Sequence, residues 1–195
     1  MNTRTKILRS LAVVAAVASL AAFGVFSAFT SQTDNPGNTV TAGTVVLADN
    51  DSDAALYSIS DAKPGSTTEA CIQVTYSGSL DSDVKLYTPS TIGDLGPHVN
   101  LTIEPGSQTT VSFPDCTDFV ADAGGALFDG TLSGFATTHD SWANGLSDNP
   151  GATSAWTTSD AVVYRVTATV DAAAPDSAQG DSTGSHILRW EAQSQ

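Results

Sequence analysis

The sequence predicts an all-β protein: a jelly-roll-like antiparallel β-sandwich with a short helical insertion, preceded by a signal peptide. Two observations lead to this prediction. Apolar and polar residues alternate in several short stretches, as they do in strands that bury one face. Turn-forming pairs separate these stretches: Pro64-Gly65, Ser77-Gly78, Pro105-Gly106 and Pro150-Gly151. Many short strands between such turns are typical of a sandwich.

Seven stretches of the chain are expected to be strands. The β-branched run at 39–47 predicts the first strand. Strict alternation predicts strands at 71–76, 162–170 and 186–191. Shorter apolar pairs and triplets predict the remaining three, which contain Val84 and Leu86, then Val99, Leu101 and Ile103, then Val111 and Phe113. Each strand has one apolar face, so we expect all of them to pack around a single core.

Residues 129–143 have a helical pattern instead. Asp129 is the expected N-cap of a short helix through 131–136, because its carboxylate can accept hydrogen bonds from the first free N–H groups. A second turn is expected at 141–143. We expect this insertion to cover one end of the sandwich. Residues 171–183 are rich in Asp, Ala, Pro, Ser and Gly, and they predict a mobile connector before the last strand.

The beginning of the chain predicts export. Three basic residues precede an apolar stretch at 11–26 that is too short and too weakly flanked for a stable membrane span. Small residues follow it, and we predict cleavage between Ser27 and Ala28. The predicted segments are a signal peptide at 1–27, an N-terminal tail at 28–40 and a single β-sandwich domain at 41–195. After cleavage no membrane segment is expected, so the mature protein is released or held at the cell surface.

The charge of the chain limits its partners. Signal removal takes away three of the seven Lys and Arg residues and leaves four against 21 Asp and Glu, so the formal net charge changes from −14 to −17. A polyanion of this kind repels nucleic acid and anionic lipid. We therefore expect neither as a partner, and cation binding is the alternative to a charge that only confers solubility.

Cys71 and Cys116 are the two cysteines of the chain. In an exported protein two cysteines normally pair, so we predict a disulfide between them. The alternative is two separately buried thiols. A zinc site is disfavoured, because two cysteines without a nearby histidine do not complete its four ligands.

The sequence lacks the common motifs of catalysis. The three histidines lie far apart, and there is neither a His-Glu-x-x-His pair nor a Gly-x-Ser-x-Gly elbow, so we expect no catalytic residues and no enzyme activity. Asp49, Asp51 and Asp53 alternate as calcium ligands do, but Ala54 and Ser60 stand where an EF-hand needs Gly and Glu. They are weak calcium candidates, against the alternative of a solvated acidic turn, and no other cofactor is expected.

Several motifs resemble one known family. Residues 28–30 (Ala-Phe-Thr) and 37–47 (Gly-Asn-Thr-Val-Thr-Ala-Gly-Thr-Val-Val-Leu) are similar to the mature start and first strand of the TasA/camelysin family, which has a SipW-type signal. Residues 63–65 and 77–80 resemble turns of the family, and 184–193 resembles its closing strand. The cysteine pair and the helical insertion resemble a branch of the family found in high-GC Gram-positive bacteria.

This resemblance implies a secreted structural subunit of extracellular biofilm matrix fibres with a jelly-roll fold. In such fibres a tail freed by a SipW-type signal peptidase adds as a strand to the sheet of the next copy, so the implied partner is the chain itself, with other matrix components as further candidates. Phe29 and Val40 are the expected pocket-filling residues of the tail, although Val40 replaces the usual aromatic residue and Pro36-Gly37 interrupts the tail.

Two other classes of function remain open at this point. One is a monomeric cell-surface binding module, which would depend on calcium if the acidic loops bind it. The other is a metalloprotease, because camelysin relatives carry that label.

Overall fold

The part of the chain that the computed structural model describes, residues 39, 41–150 and 154–195, contains nine strands. In chain order they are β1 (Leu47–Asp49), β2 (Thr67–Tyr76), β3 (Ser82–Tyr87), β4 (Val99–Ser107), β5 (Val120–Ala121), β6 (Phe128–Thr131), β7 (Leu146–Ser147), β8 (Ala161–Val170) and β9 (Arg189–Ser194). A large sheet has the order β1–β2–β8–β4, with β5 and β6 both paired to β4, and a small sheet has the order β7–β3–β9. The prediction of an all-β antiparallel sandwich is confirmed.

The core lies between the two sheets, where the apolar faces predicted from the alternation meet. The long strands β2 and β8 pair with Ile72 opposite Tyr164, and both side chains are buried. β3 and β4 contribute further core side chains: Val84, Leu86, Val99, Leu101 and Ile103. Fully burying an aliphatic side chain stabilises a fold by about 1.5–3 kcal/mol. The period-two pattern is therefore what holds the two sheets together.

The helical insertion is present, but its cap differs from the prediction. The helix α1 comprises Leu132–Thr138, and its N-cap is Thr131, whose Oγ1 accepts the N–H of Gly134 at 3.0 Å. The prediction of Asp129 as the cap was wrong, since Asp129 lies within β6 opposite Thr102. Because β6 continues to Thr131, the cap lies two residues later than predicted and the helix begins at Leu132, one residue later.

Short 3-10 helices occupy some of the connections: Gly96–His98, Trp142–Asn144 and Asp176–Ala178. The second of them confirms the turn expected after the helix, and the third lies in the connector expected before the last strand. Among the described residues no helix is both long and apolar enough to cross a membrane.

Three predicted strands differ from the structure. The last strand, predicted at 186–191, is formed by Arg189–Ser194. In the described part of the run at 39–47, pairing begins at Leu47, because the carbonyl groups of Thr44 and Val46 accept hydrogen bonds from the turn after β2 instead of from a strand. The predicted strand around Phe113 is not formed. The chain turns back there, with an isolated bridge between Ser112 and Asp115.

Candidate functional site

The edges of the two sheets differ in length, and unpaired edges are where other chains attach. β5, β6 and β7 are short edge strands of two to four residues. β9 has six residues and pairs with β3 along one side. No strand among the described residues pairs with its other side. β9 therefore presents the longest free row of backbone donors and acceptors in this part of the chain.

In the large sheet, the β2 edge is occupied along part of its length. β1 pairs with the last three residues of β2. Beyond β1, the Asn50 Oδ1 accepts the N–H of Gln73 at 2.9 Å, and the carbonyl of Pro114 accepts the N–H of Cys71 at 3.0 Å. These contacts occupy N–H groups of β2 that would otherwise attract a further strand.

A disulfide holds this covering loop in place. Cys71 and Cys116 are bonded as predicted, with Cα atoms 5.1 Å apart and 45 positions between them in sequence. Cys71 is buried on the outer side of β2. Closing a loop of this length restricts the unfolded chain and stabilises the fold by about 4 kcal/mol. The disulfide therefore contributes to stability and also protects one sheet edge.

A groove of about 700 Å³ opens between the sheets beside β9. The small sheet has three strands against six in the large sheet, so part of the inner face of the large sheet is covered by the β1–β2 connection and the chain before β9 instead of by a strand. That face forms the floor of the groove, and its walls come from the chain around β9 and from the β1–β2 connection. The apolar lining residues include Leu56, Ile59, Ile72, Ala168, Val170 and Leu188. A strand added to the free edge of β9 would lie over this groove.

One hydrogen bond joins the two walls of the groove. The hydroxyl of Tyr57 lies 2.6 Å from Nε2 of His186. Nδ1 of His186 lies 3.1 Å from the carbonyl of Gly184. A carbonyl only accepts, so Nδ1 carries the proton and Nε2 accepts from Tyr57. Burial raises the pKa of Tyr57 to about 12, which keeps the donating proton on the hydroxyl at neutral pH. An occupant that separates the walls would break this contact.

The chain reaches β1 through an exposed segment. The carbonyl groups of Val46 and Thr44 accept hydrogen bonds from the N–H groups of Ser77 and Ser79, each at 2.9 Å. Val45 and Val46 are 38% and 44% exposed, although β-branched residues favour paired, half-buried strands. The predicted cleavage and assembly residues lie further upstream, outside the described residues: Ser27, Ala28, Phe29 and Val40.

The weak calcium candidates lie at the start of the β1–β2 connection. Oδ1 of Asp49 accepts the N–H of Asp51 at 3.3 Å, and Oδ1 of Asp51 accepts the N–H of Asp53 at 2.8 Å. Burial is the largest cause that raises the pKa of Asp49, and the nearby charges of Asp51 and Asp53 raise it further. These carboxylates thus shape a local turn, and calcium binding by this loop stays a prediction.

A half-buried acidic residue that the sequence did not single out follows β7. Burial raises the pKa of Asp148, and a hydrogen bond with Tyr164 opposes this effect. Oδ2 of Asp148 is buried without a hydrogen-bond partner, and the Asp148 carbonyl accepts the indole N–H of Trp156 at 2.6 Å. The ring of Trp190 packs on Tyr164 with centroids 5.3 Å apart. This cluster connects the loop after β7 to both sheets.

The fold and its edges define a class of protein: an antiparallel β-sandwich with one long free edge strand beside an apolar groove. The sequence profile of the family described as camelysin metallo-endopeptidases matches residues 4–118. This is more than half of the chain, which therefore belongs to the camelysin/TasA family, whose members are extracellular or surface-associated. A comparison with curated proteins found no match. The matched region includes β1 to β4 and both cysteines, whereas β9 lies beyond it.

The family description names a metal-dependent peptidase, but the described residues do not fit a catalytic metal. Nδ1 of His139 lies 2.7 Å from the carbonyl of Asn144, and its ring packs on Phe135. Both ring nitrogens of His186 have partners at the groove, and His98 ends a 3-10 helix elsewhere. No group of three or more His, Cys, Asp or Glu side chains in the described ranges is placed to hold a metal ion.

Proposed function

We propose that the mature chain is a secreted structural subunit of extracellular biofilm matrix fibres. In this proposal the tail at 28–40 of one copy adds as a strand to the free edge of β9 in the next copy. The observation that carries it is the difference between the edges: β9 is free over six residues, whereas the β2 edge is occupied by β1, Asn50 and the disulfide-linked loop. Family membership supports an extracellular location.

Strand addition at β9 would complete the sandwich. A fourth strand would extend the small sheet along the groove, whose floor includes the buried side chains of Ile72, Ala168 and Val170. Its backbone would pair with the free groups of β9, and alternate side chains would point into the groove. Phe29 and Val40 are the apolar tail residues that we assign to this role. Because donor and acceptor are different surfaces of one chain, each addition leaves another free edge, and the contact extends into a filament.

The tail is suited to act outside its own subunit. Its sequence is mostly polar (Thr-Ser-Gln-Thr-Asp-Asn at 30–35), so it buries too little apolar area to be a core element by itself. At about 3.3 Å per residue, its 13 residues reach about 43 Å when extended, well beyond the length of six-residue β9. Pro36-Gly37 divides the tail, because proline cannot donate to a sheet ladder. Residues 28–35 alone are long enough to cover β9.

Deletion of the tail tests this function. We expect the mature chain starting at Ala28 to form filaments at high concentration by electron microscopy. The same chain lacking residues 28–37 should give an unchanged circular dichroism spectrum and no filaments. A synthetic peptide of residues 28–40 should block filament growth by occupying the free edge, and a scrambled peptide serves as its control. Filaments of the same kind from the truncated chain would disprove strand donation by the tail.

A monomeric binding module is the second candidate, and the size of the groove favours it. About 700 Å³ falls within the range of about 300–1,000 Å³ that is common for small-molecule sites. A mature chain that stays monomeric at all concentrations, and whose thermal stability rises with an added ligand, would support this function over the fibre.

We infer a non-catalytic role for the chain in either case. A peptidase assay on the mature protein, with and without a metal chelator, tests this inference. Chelator-sensitive cleavage of an unfolded protein substrate would overturn it.

A further inference from the structure

The outer face of the small sheet carries two cationic side chains that form no direct ion pair among the described residues. Lys85 lies in β3 and Arg189 in β9, and neither forms an ion pair with a carboxylate among the described residues. The ion pair found in this part of the chain joins Arg165 to Glu104 at 2.7 Å on the large sheet. Two cations thus remain unpaired in a protein that carries 21 acidic residues.

Aromatic rings hold these two cations in place. Nζ of Lys85 lies 5.1 Å from the ring centre of Trp142, and Cζ of Arg189 lies 5.8 Å from that of Tyr87. In such contacts the cation is attracted to the electron-rich face of the ring. We call these four residues, Lys85, Tyr87, Trp142 and Arg189, the cationic face. Their positions are fixed by strand pairing, since Tyr87 lies opposite Arg189 in the ladder.

The acidic residue nearest to the cationic face is already engaged within the chain. Glu191 lies opposite Lys85 in the β3–β9 ladder. One of its carboxylate oxygens accepts a hydrogen bond from the Tyr87 hydroxyl, and the other accepts one from Gln193 at 2.9 Å. These bonds lower the pKa of Glu191, and the charge of Arg189 lowers it further. Glu191 thus attracts Arg189 without forming a direct ion pair, and both Lys85 and Arg189 can still attract carboxylates from outside the chain.

The rest of the described surface is anionic. Of its four Lys and Arg residues, two are in the cationic face, Arg165 is neutralised by Glu104, and Lys63 stands alone in an exposed loop. Two copies of the chain repel each other in most orientations, because like charges oppose close approach. An orientation that places the cationic face of one copy against carboxylates of the other avoids this repulsion.

We propose that the cationic face is a contact surface for the acidic surface of a second copy of this chain. The proposal rests on the proposed fibre for its setting, and it adds a side-chain contact to the backbone contact at β9. Both the cationic face and the free edge belong to the small sheet, so one neighbour can engage both. Complementary charges of this kind orient the encounter and suppress other arrangements.

Zero-length crosslinking tests the contact directly. A carbodiimide joins a lysine amine to a carboxylate only when the two touch. The experiment mixes equal amounts of unlabelled and ¹⁵N-labelled mature protein under assembly conditions and analyses the crosslinked peptides by mass spectrometry. We expect the Lys85 peptide to be joined to Asp- or Glu-containing peptides in mixed-isotope pairs. Lys85 crosslinks found only within single-isotope pairs would overturn the proposal.

A matched pair of charge reversals supplies a second test. Lys85→Glu and Lys63→Glu change the net charge equally, but only the first alters the cationic face. We expect Lys85→Glu to lower the assembly constant, measured by sedimentation, about tenfold relative to Lys63→Glu, with both variants folded by circular dichroism. Equal effects would show that only net charge matters.

The outcomes for the fibre and for the cationic face are separable. If tail deletion abolishes filaments while Lys85→Glu behaves like Lys63→Glu, the fibre proposal stands and the proposed contact at the cationic face is wrong. If the wild-type chain forms no filaments yet gives mixed-isotope Lys85 crosslinks in dimers, the proposed contact at the cationic face stands and the fibre proposal is wrong.

Discussion

At the scale of single residues, Asp148 shows how the fold changes the pKa of a side chain that the sequence does not distinguish from other acidic residues. It is one of 21 acidic residues, yet burial raises its pKa and one of its oxygens has no partner. An acid whose pKa is higher in the folded state than in the unfolded state stabilises the fold only while it is protonated. That stability is present below the pKa of the unfolded chain, about 3.9, and is lost as the pH rises through the pKa of the folded state.

We therefore predict that Asp148→Asn stabilises the protein at neutral pH. The amide keeps an acceptor for Tyr164 and removes a charge from a partly buried position. The melting temperature of the variant should exceed that of the wild type at pH 7, and the difference should shrink or vanish at pH 3. Asp181→Asn, at an exposed position, is the control and should show no such pattern. A variant that melts below the wild type at pH 7 would contradict this account.

At the scale of elements, strand β6 and helix α1 meet at one residue. Thr131 ends the strand and caps the helix through its hydroxyl. The sequence favoured Asp129 because carboxylates are good caps, but the ladder with β4 holds Asp129 in the strand. A long-range pairing thus overrides a local preference.

The cap assignment predicts a difference between two substitutions. Thr131→Ala removes the acceptor for Gly134 and should lower the free energy of unfolding by about 1 kcal/mol, whereas Thr131→Ser retains the hydroxyl and should lower it less. Asp129→Ala should have a smaller effect than Thr131→Ala. Urea unfolding followed by circular dichroism measures all three. If Asp129→Ala lowered the free energy of unfolding more than Thr131→Ala, Asp129 would be the cap, as the sequence predicted.

At the scale of the whole molecule, net charge and the free sheet edge have opposite effects on association between copies of the chain. The free edge of β9 and its groove favour association, and the excess of acidic residues opposes it. The two cations of the cationic face are few against the formal net charge of −14 on the full chain, which becomes −17 if the predicted signal peptide is removed. The balance between copies should therefore be dominated by repulsion at low ionic strength.

Salt should consequently promote assembly. The screening length falls from about 30 Å at 0.01 M salt to about 10 Å at 0.1 M, so repulsion between copies weakens while backbone pairing is little affected. We expect more filaments, after a shorter lag, at the higher salt concentration, as measured by light scattering and confirmed by electron microscopy. Assembly that weakens steadily as salt increases would mean that attraction between charges, and not strand addition, drives association.

Much of the fold and part of the site could be predicted from sequence because their signals are local. Alternation with period two identified the strands around Ile72, Tyr164 and Leu101 and their buried faces. The Cys71–Cys116 disulfide could be predicted because the chain has only two cysteines and a chain predicted to be exported normally pairs them. The first residues of the chain and the motif at 37–47 indicated the family, which the match over residues 4–118 confirms.

The tertiary structure alone decided which edge is free, because edge protection depends on residues far apart in sequence. Asn50 and Pro114 accept hydrogen bonds from N–H groups at the edge of β2, and no sequence pattern predicts either contact. The groove lies between two sheets with unequal numbers of strands, and Asp148 is half-buried because the loop after β7 packs against Trp156 and Tyr164. Local periodicity determines strands, whereas the order of strands in a sheet determines edges, grooves and buried charges.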